Sequence, residues 1–148
     1  MSRPLFIALV LLGSALLPAQ TRDKSCCEMK IVAATDAPAR LTVTITNVGA
    51  AAVSFVRNRP ERDFEIHVKS ANGDDVGRTE EGKRLLREPP EGSFLRKELK
   101  TGESFRQELN LGRIFELKLG IYKVTLTYEV SVAGAKVPLE STIELKIP

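Results

Sequence analysis

In Leu41-Thr42-Val43-Thr44-Ile45-Thr46-Asn47 every second side chain up to Ile45 is aliphatic and the ones between are threonine. Successive side chains of an extended backbone point to opposite faces, so this stretch buries one face and wets the other. Phe64, Ile66 and Val68 alternate in the same way with Asp63, Glu65, His67 and Lys69. Tyr122, Val124, Leu126, Tyr128 and Val130 form a third row against Lys123, Thr125, Thr127 and Glu129. Leu139, Ile143, Leu145 and Ile147 form a fourth, with Ser141 as its small member. One-sided rows of this kind need a shared apolar interior, and a period of two excludes an amphipathic helix over the same residues.

Turn chemistry separates the rows. Asn47 with Gly49 ends the first, and Ala71-Asn72-Gly73-Asp74 ends the second with a glycine able to take positive φ. Weaker strand candidates cover residues 29–33, 53–57, 94–100 and 105–111, the last two joined at Thr101-Gly102-Glu103. Seven to nine short strands without a long period-3.6 segment predict an all-β chain: a single antiparallel two-sheet sandwich. The one helical piece expected is a turn over residues 112–118, with Ile114, Phe115 and Leu117 plugging the end of the core. Residues 76–93 break the rhythm, with dense charge, Pro89-Pro90, and Leu85-Leu86 as the only apolar couple. They read as a long surface loop, where rigid sandwiches carry binding surfaces.

The N-terminus has its own pattern. Arg3 precedes an apolar or small-residue stretch from Leu5 to Leu17, and Pro18-Ala19 follows it, as in a cleaved export signal. The stretch is shorter than the roughly 18–20 residues a membrane-spanning helix needs. The expected organisation is a signal peptide over residues 1–19, a flexible segment over 20–28, and the sandwich over 29–148. The mature chain is expected to be periplasmic or secreted, without stable membrane insertion. Cleavage removes Arg3 and takes the formal net charge from +3 to +2, and both signs are interspersed. So weak a field argues against nucleic acid as a partner.

Little points to catalysis. The single histidine, His67, falls on the polar face of its strand beside Glu65 and Lys69, with no partner histidine and no cysteine in the body of the domain. Neither a Ser-His-Asp nor a Cys-His arrangement can be assembled, so no catalytic residue and no cofactor is expected. Cys26 and Cys27 are adjacent, and neighbouring Cα atoms at about 3.8 Å are too close for an ordinary disulfide. A strained ring, bonds to another chain, or a dithiol near a flexible terminus remain. With Met29 these cysteines are weak candidates for soft-metal ligation. Asn72, Asp74 and Asp75 lack the regular acid spacing of a calcium loop. Basic residues gather at Arg57, Arg59 and Arg62 and again from Lys83 to Lys100. If the groups meet, they form a cationic patch for an acidic protein or glycan. Within the 76–93 loop, Arg78, Lys83, Arg84 and Arg87 are the binding candidates.

Gly120-Ile121-Tyr122-Lys123-Val124 has the spacing of a tyrosine corner, in which a tyrosine fixes the crossover from one sheet to the other. Together with the 41–47 row and the Thr101-Gly102-Glu103-Ser104-Phe105 turn, it resembles bacterial extracytoplasmic immunoglobulin-like or fibronectin-like domains. More loosely, the chain is similar to the bacterial intracellular proteinase inhibitor family. The likeness covers most of residues 29–148 and concerns the fold. Antibody-type domains carry cysteine two residues after that tyrosine and a core tryptophan. Val124 and the lack of tryptophan here leave the corner, on sequence grounds, to packing alone. The expected function is an exported, non-catalytic module that binds another protein through loop tips or an open sheet edge. A protease inhibitor stiffened by Pro89-Pro90 beside Arg87, and a thiol or metal role at Cys26-Cys27, are the alternatives.

Overall fold

A computed structural model describes residues 26–88 and 94–148. The expected export signal and residues 20–25 lie outside the described residues, as does Pro89-Pro90. Among the described residues eight strands form two antiparallel sheets. One holds β1 (Cys27–Ala33), β2 (Arg40–Asn47) and β6 (Ser104–Asn110), in the order β1-β2-β6. The other is built on a hairpin of β7 (Gly120–Val132) and β8 (Ala135–Ile147), paired from Gly120↔Ile147 to Val132↔Ala135. Ala133 and Gly134 connect them, both at positive φ (49° and 83°), and this two-residue turn matches the right-handed twist of the strands.

The far edge of β7 is shared. β4 (Glu65–Ser70) lies along its first half, and β3 (Val53–Arg57) touches only its end, at Val53↔Val132 and Ser54↔Ser131. β5 (Leu95–Leu99) adds outside β3. Between β3 and β4 the chain leaves the sheet through a one-turn helix, α1 (Pro60–Asp63). Proline suits its first turn, where no amide partner is needed. Asp63 closes the excursion by accepting the Asn58 amide at 2.9 and 3.1 Å.

The alternating rows face inward as the sequence predicts: Leu41, Val43 and Ile45 from one sheet, Ile66, Val68, Val124, Leu126 and Val130 from the other, all buried. Each such side chain contributes roughly 1.5–3 kcal/mol on burial. Phe105 meets Phe55 across the sheets at 4.7 Å, and Phe64 meets Tyr128 at 5.0 Å. Asn47 does more than end a strand. Fully buried, it donates to the Leu99 carbonyl of the other sheet at 2.9 Å and to Ala51 at 2.8 Å, and accepts the Gly49 amide. It thereby ties the two layers at one end.

Tyr122 performs the corner. Its hydroxyl donates to the Lys118 carbonyl at 2.9 Å and accepts the Lys118 amide at 3.0 Å. Hydrogen bonding therefore supplements packing at this corner. The helical turn expected over 112–118 is shorter and starts one residue earlier: α3 (Leu111–Ile114), capped by the Asn110 side chain accepting the Gly112 amide, with Ile114 and Phe115 buried and Leu117 half-buried.

Two further boundaries differ from expectation. β1 begins at Cys27, which opposes Asn47 and is only 3 % exposed, so Cys27 and Glu28 are strand residues. A buried cysteine packs as a small apolar side chain, and β2 extends far enough to pair it. The 76–93 stretch is not one long loop: it contains α2 (Glu80–Arg87). Thr79 caps α2 by accepting the Gly82 amide at 3.0 Å, acids occupy the first turn and bases the last. Caps and dipole-matched charges make a short helix where apolar periodicity is too sparse to announce one.

Candidate functional site

The excursion at α1 and the helix α2 leave a groove of about 630 Å³ along the outer edge of β4. Asp74 and Val76 return beside β4 and cover only its end: Ser70 donates to the Asp74 carbonyl at 2.8 Å, and Val76 to the Val68 carbonyl at 3.0 Å. In a strand the N–H and C=O of one residue point to the same side, and successive residues alternate. Glu65, His67 and Lys69 thus bond to β7, while Ile66 and Val68 aim their backbone groups at the groove. The Ile66 N–H and C=O and the Val68 N–H have no hydrogen-bond partner among the described residues. Their side chains point into the core and are buried.

The walls of this open edge are apolar. Val56, Leu86 and Phe94, 46 %, 64 % and 58 % exposed, converge on the groove, with buried Leu85 and Phe115 beneath them. Leu85 and Leu86 come from α2: Leu85 turns to the core and Leu86 outward. Isolated exposed apolar residues mean little, but three around unpaired backbone groups form a surface suited to an extended chain.

Charge along the groove is unevenly committed. Glu61 faces Arg113 at 3.7 Å, Glu65 accepts from His67 at 2.9 Å, Asp75 lies 4.0 Å from Lys69, and Glu88 lies 3.5 Å from Arg84. Arg62, from α1, and Arg78, two residues after the Val76 contact, both line the groove and make no ion pair among the described residues. Arg78 lies over the Phe115 ring at 4.8 Å, and partial burial lowers its pKa from the usual arginine range. Asp63 is held by the Asn58 amide and by Gln107 Nε2 at 3.2 Å. Burial raises its carboxyl above the ordinary range against the pull of those bonds.

Of the binding candidates read from the sequence, Arg78 lines the groove. Lys83 pairs with Glu80 at 2.6 Å and Arg84 with Glu88, while Arg87 Nε reaches the Lys83 carbonyl at 3.4 Å. These three stabilise α2 from its exposed side, as helix-spaced pairs do. The two basic groups do approach, through α1 and α2, but only Arg62 and Arg78 reach the groove without a carboxylate partner. Missed from sequence were Val56, Leu86 and Phe94. The pair Leu85-Leu86 after the cap at Thr79 was the available signal, since one of two adjacent helical leucines must point outward.

His67 lies on the outer sheet face and its hydrogen bond goes to Glu65. Cys27 is in the core, where burial first and the neighbouring Cys26 thiol second push its pKa up to about 12. Metal ligation needs the thiolate, which such a site opposes, and β1 carries Met29 to a half-buried place on the core row. Among the described residues no group of three or more His, Cys, Asp or Glu is placed to hold a metal ion. No helix among them is long and apolar enough to cross a membrane. A second depression of about 660 Å³ lies where β3 splays from β7. Tyr128 spans it to the Val56 carbonyl at 3.3 Å, and its rim pair Lys136–Glu129 is closed at 2.8 Å.

No protein-family model matches the chain, and no curated protein matches it. Among solved structures it is similar to a Bordetella pertussis protein assigned the name ApaA, at 15 % identity and a TM-score of 0.43, covering 82 % of this chain and 90 % of that one.

Proposed function

We propose that the chain is an exported, non-catalytic protein-binding module of the immunoglobulin-like class, and that it takes an extended segment of its partner as an added strand on β4. The export pattern of residues 1–19 and the tyrosine corner at Tyr122 support the first part. The second rests on one observation: among the described residues, the Ile66 N–H and C=O and the Val68 N–H lie unpaired in a groove walled by Val56, Leu86 and Phe94. Backbone bonds of an added strand supply affinity with little demand on sequence, and the apolar walls select side chains at alternate positions. The short open stretch, closed by α1 and by Val76, limits pairing to a few residues and discourages sheet-to-sheet aggregation.

The experiment is selection of displayed peptides on the immobilised domain, followed by amide exchange with and without a selected peptide. The Ile66 and Val68 amides are expected to exchange fast in the unbound domain and to become protected on binding. The double variant Leu86→Asp, Phe94→Asp changes two exposed side chains, so it should fold normally and weaken those peptides by about tenfold or more. Selected peptides that leave both amides unprotected, or that bind the double variant equally well, defeat the proposal.

A further inference from the structure

We infer that the segment added to β4 carries an acidic side chain, received by Arg78, and this rests on the strand-addition reading above. Four of the five carboxylates along the groove already have a basic neighbour, and the fifth, Asp63, is occupied by the Asn58 amide and Gln107. Among the described residues, what the groove offers unmatched is positive: Arg62 and Arg78. An arriving lysine or arginine would have to displace an existing pair, whereas an arriving carboxylate would complete one.

Arg78 is the better prepared of the two. Its guanidinium carbon lies 4.8 Å from the Phe115 ring centroid, and that contact restrains the side chain, so less freedom is lost when a carboxylate binds. Its partial burial also removes some of the solvent screening that makes exposed ion pairs weak. The partner chemistry is therefore an extended chain with apolar residues toward Val56, Leu86 and Phe94 and an Asp or Glu side chain facing Arg78. A side-chain carboxylate leaves the segment free to run on along the Ile66 groups, and a terminal carboxylate is the other source of the same charge, which the test separates.

The probes are synthetic nine-residue peptides with blocked ends, alternating Val and Thr, with a single Glu moved through the sequence and Gln counterparts at each place. Affinity is read by fluorescence anisotropy at low and at physiological salt. One Glu position is expected to bind about tenfold tighter than its Gln counterpart, the gain of one charge-assisted contact. That preference should shrink with salt, vanish in Arg78→Gln, and survive in part in Arg78→Lys, which keeps the charge but not the planar fork. Far-ultraviolet circular dichroism and thermal melting establish that each variant is folded, and Arg62→Gln, remote from the Phe115 stack, serves as the companion variant. Equal binding of Glu and Gln peptides, with Ile66 and Val68 still protected, overturns the acidic partner and leaves strand addition standing. Tighter binding of Lys counterparts, or of a Gln peptide with an unblocked C-terminus, overturns it in favour of a basic segment or a terminal carboxylate. No binding and no protection by any peptide removes both proposals.

Discussion

Gly82→Ala separates two opposed expectations. Gly82 lies inside α2 with ordinary helical geometry, so helix propensity alone predicts that alanine stabilises by about 1 kcal/mol. The packing of α2 on α3 predicts the reverse. A Cβ on Gly82 would stand 3.0 Å from the Ile114 carbonyl carbon and 3.1 Å from its Cα, and closer still to its oxygen. Ordinary carbon contacts are about 3.5–4 Å, so α2 has to retreat by roughly 1 Å. The obstructing atom is backbone and cannot rotate away. It is also the acceptor of the Thr79 amide at 2.9 Å, the bond that seats the start of α2. Overpacking costs about 1–3 kcal/mol and loss of that bond about 1 kcal/mol. Against the helical gain, the net is a loss of about 2 kcal/mol, or roughly 5–10 °C in Tm for a domain of this size. Urea and thermal unfolding of the variant measure it. Gly77→Ala is the control, because its Cβ would meet Glu116 at 3.6 Å, an ordinary contact, and should leave stability within about 0.5 kcal/mol. A Gly82→Ala protein as stable as the parent, or more so, would refute the close seating of α2. Since α2 carries Leu85 and Leu86, the same substitution is expected to weaken peptide capture.

Tyr122→Phe keeps the ring and removes two hydrogen bonds to Lys118. Water can reach the exposed Lys118 backbone, so the expected loss is about 1–2 kcal/mol; a change below about 0.3 kcal/mol by urea unfolding would deny the corner its role. Asp63 is held above its ordinary pKa, so the folded protein binds that proton more tightly than the unfolded chain and stability falls as pH rises from 3.8 through the folded value. Asp63→Asn should therefore gain relative to the parent as pH rises across that window, and parallel stability profiles would contradict this. With Cys26 half-buried and Cys27 in the core at a pKa of about 12, native protein near pH 8 should take up iodoacetamide at Cys26 alone, with Cys27 modified only after unfolding. Mass spectrometry reads the outcome, and rapid double modification would show that β1 does not hold Cys27 inside.

The sequence by itself determined the sandwich, because a period of two over Leu41–Ile45, Phe64–Val68 and Tyr122–Val130 leaves only one way to hide the aliphatic side of each strand. It also determined the corner residue and the wet histidine, since both follow from which face a position occupies. Cys27 escaped it: whether a cysteine beside a charged run is tail or strand depends on how far Asn47 extends the partner. Helix α2 escaped it as well, because its stability comes from the Thr79 cap, close pairs and the backbone fit of Gly82 on Ile114, none of which produces an apolar repeat. Only the tertiary structure decided the groove. Its parts come from β3, α1, β4, α2 and the start of β5, far apart in the chain. Among the described residues, an N–H at Ile66 without a partner and an Arg78 without a carboxylate are properties of what stands beside them, which alternation along one strand does not record.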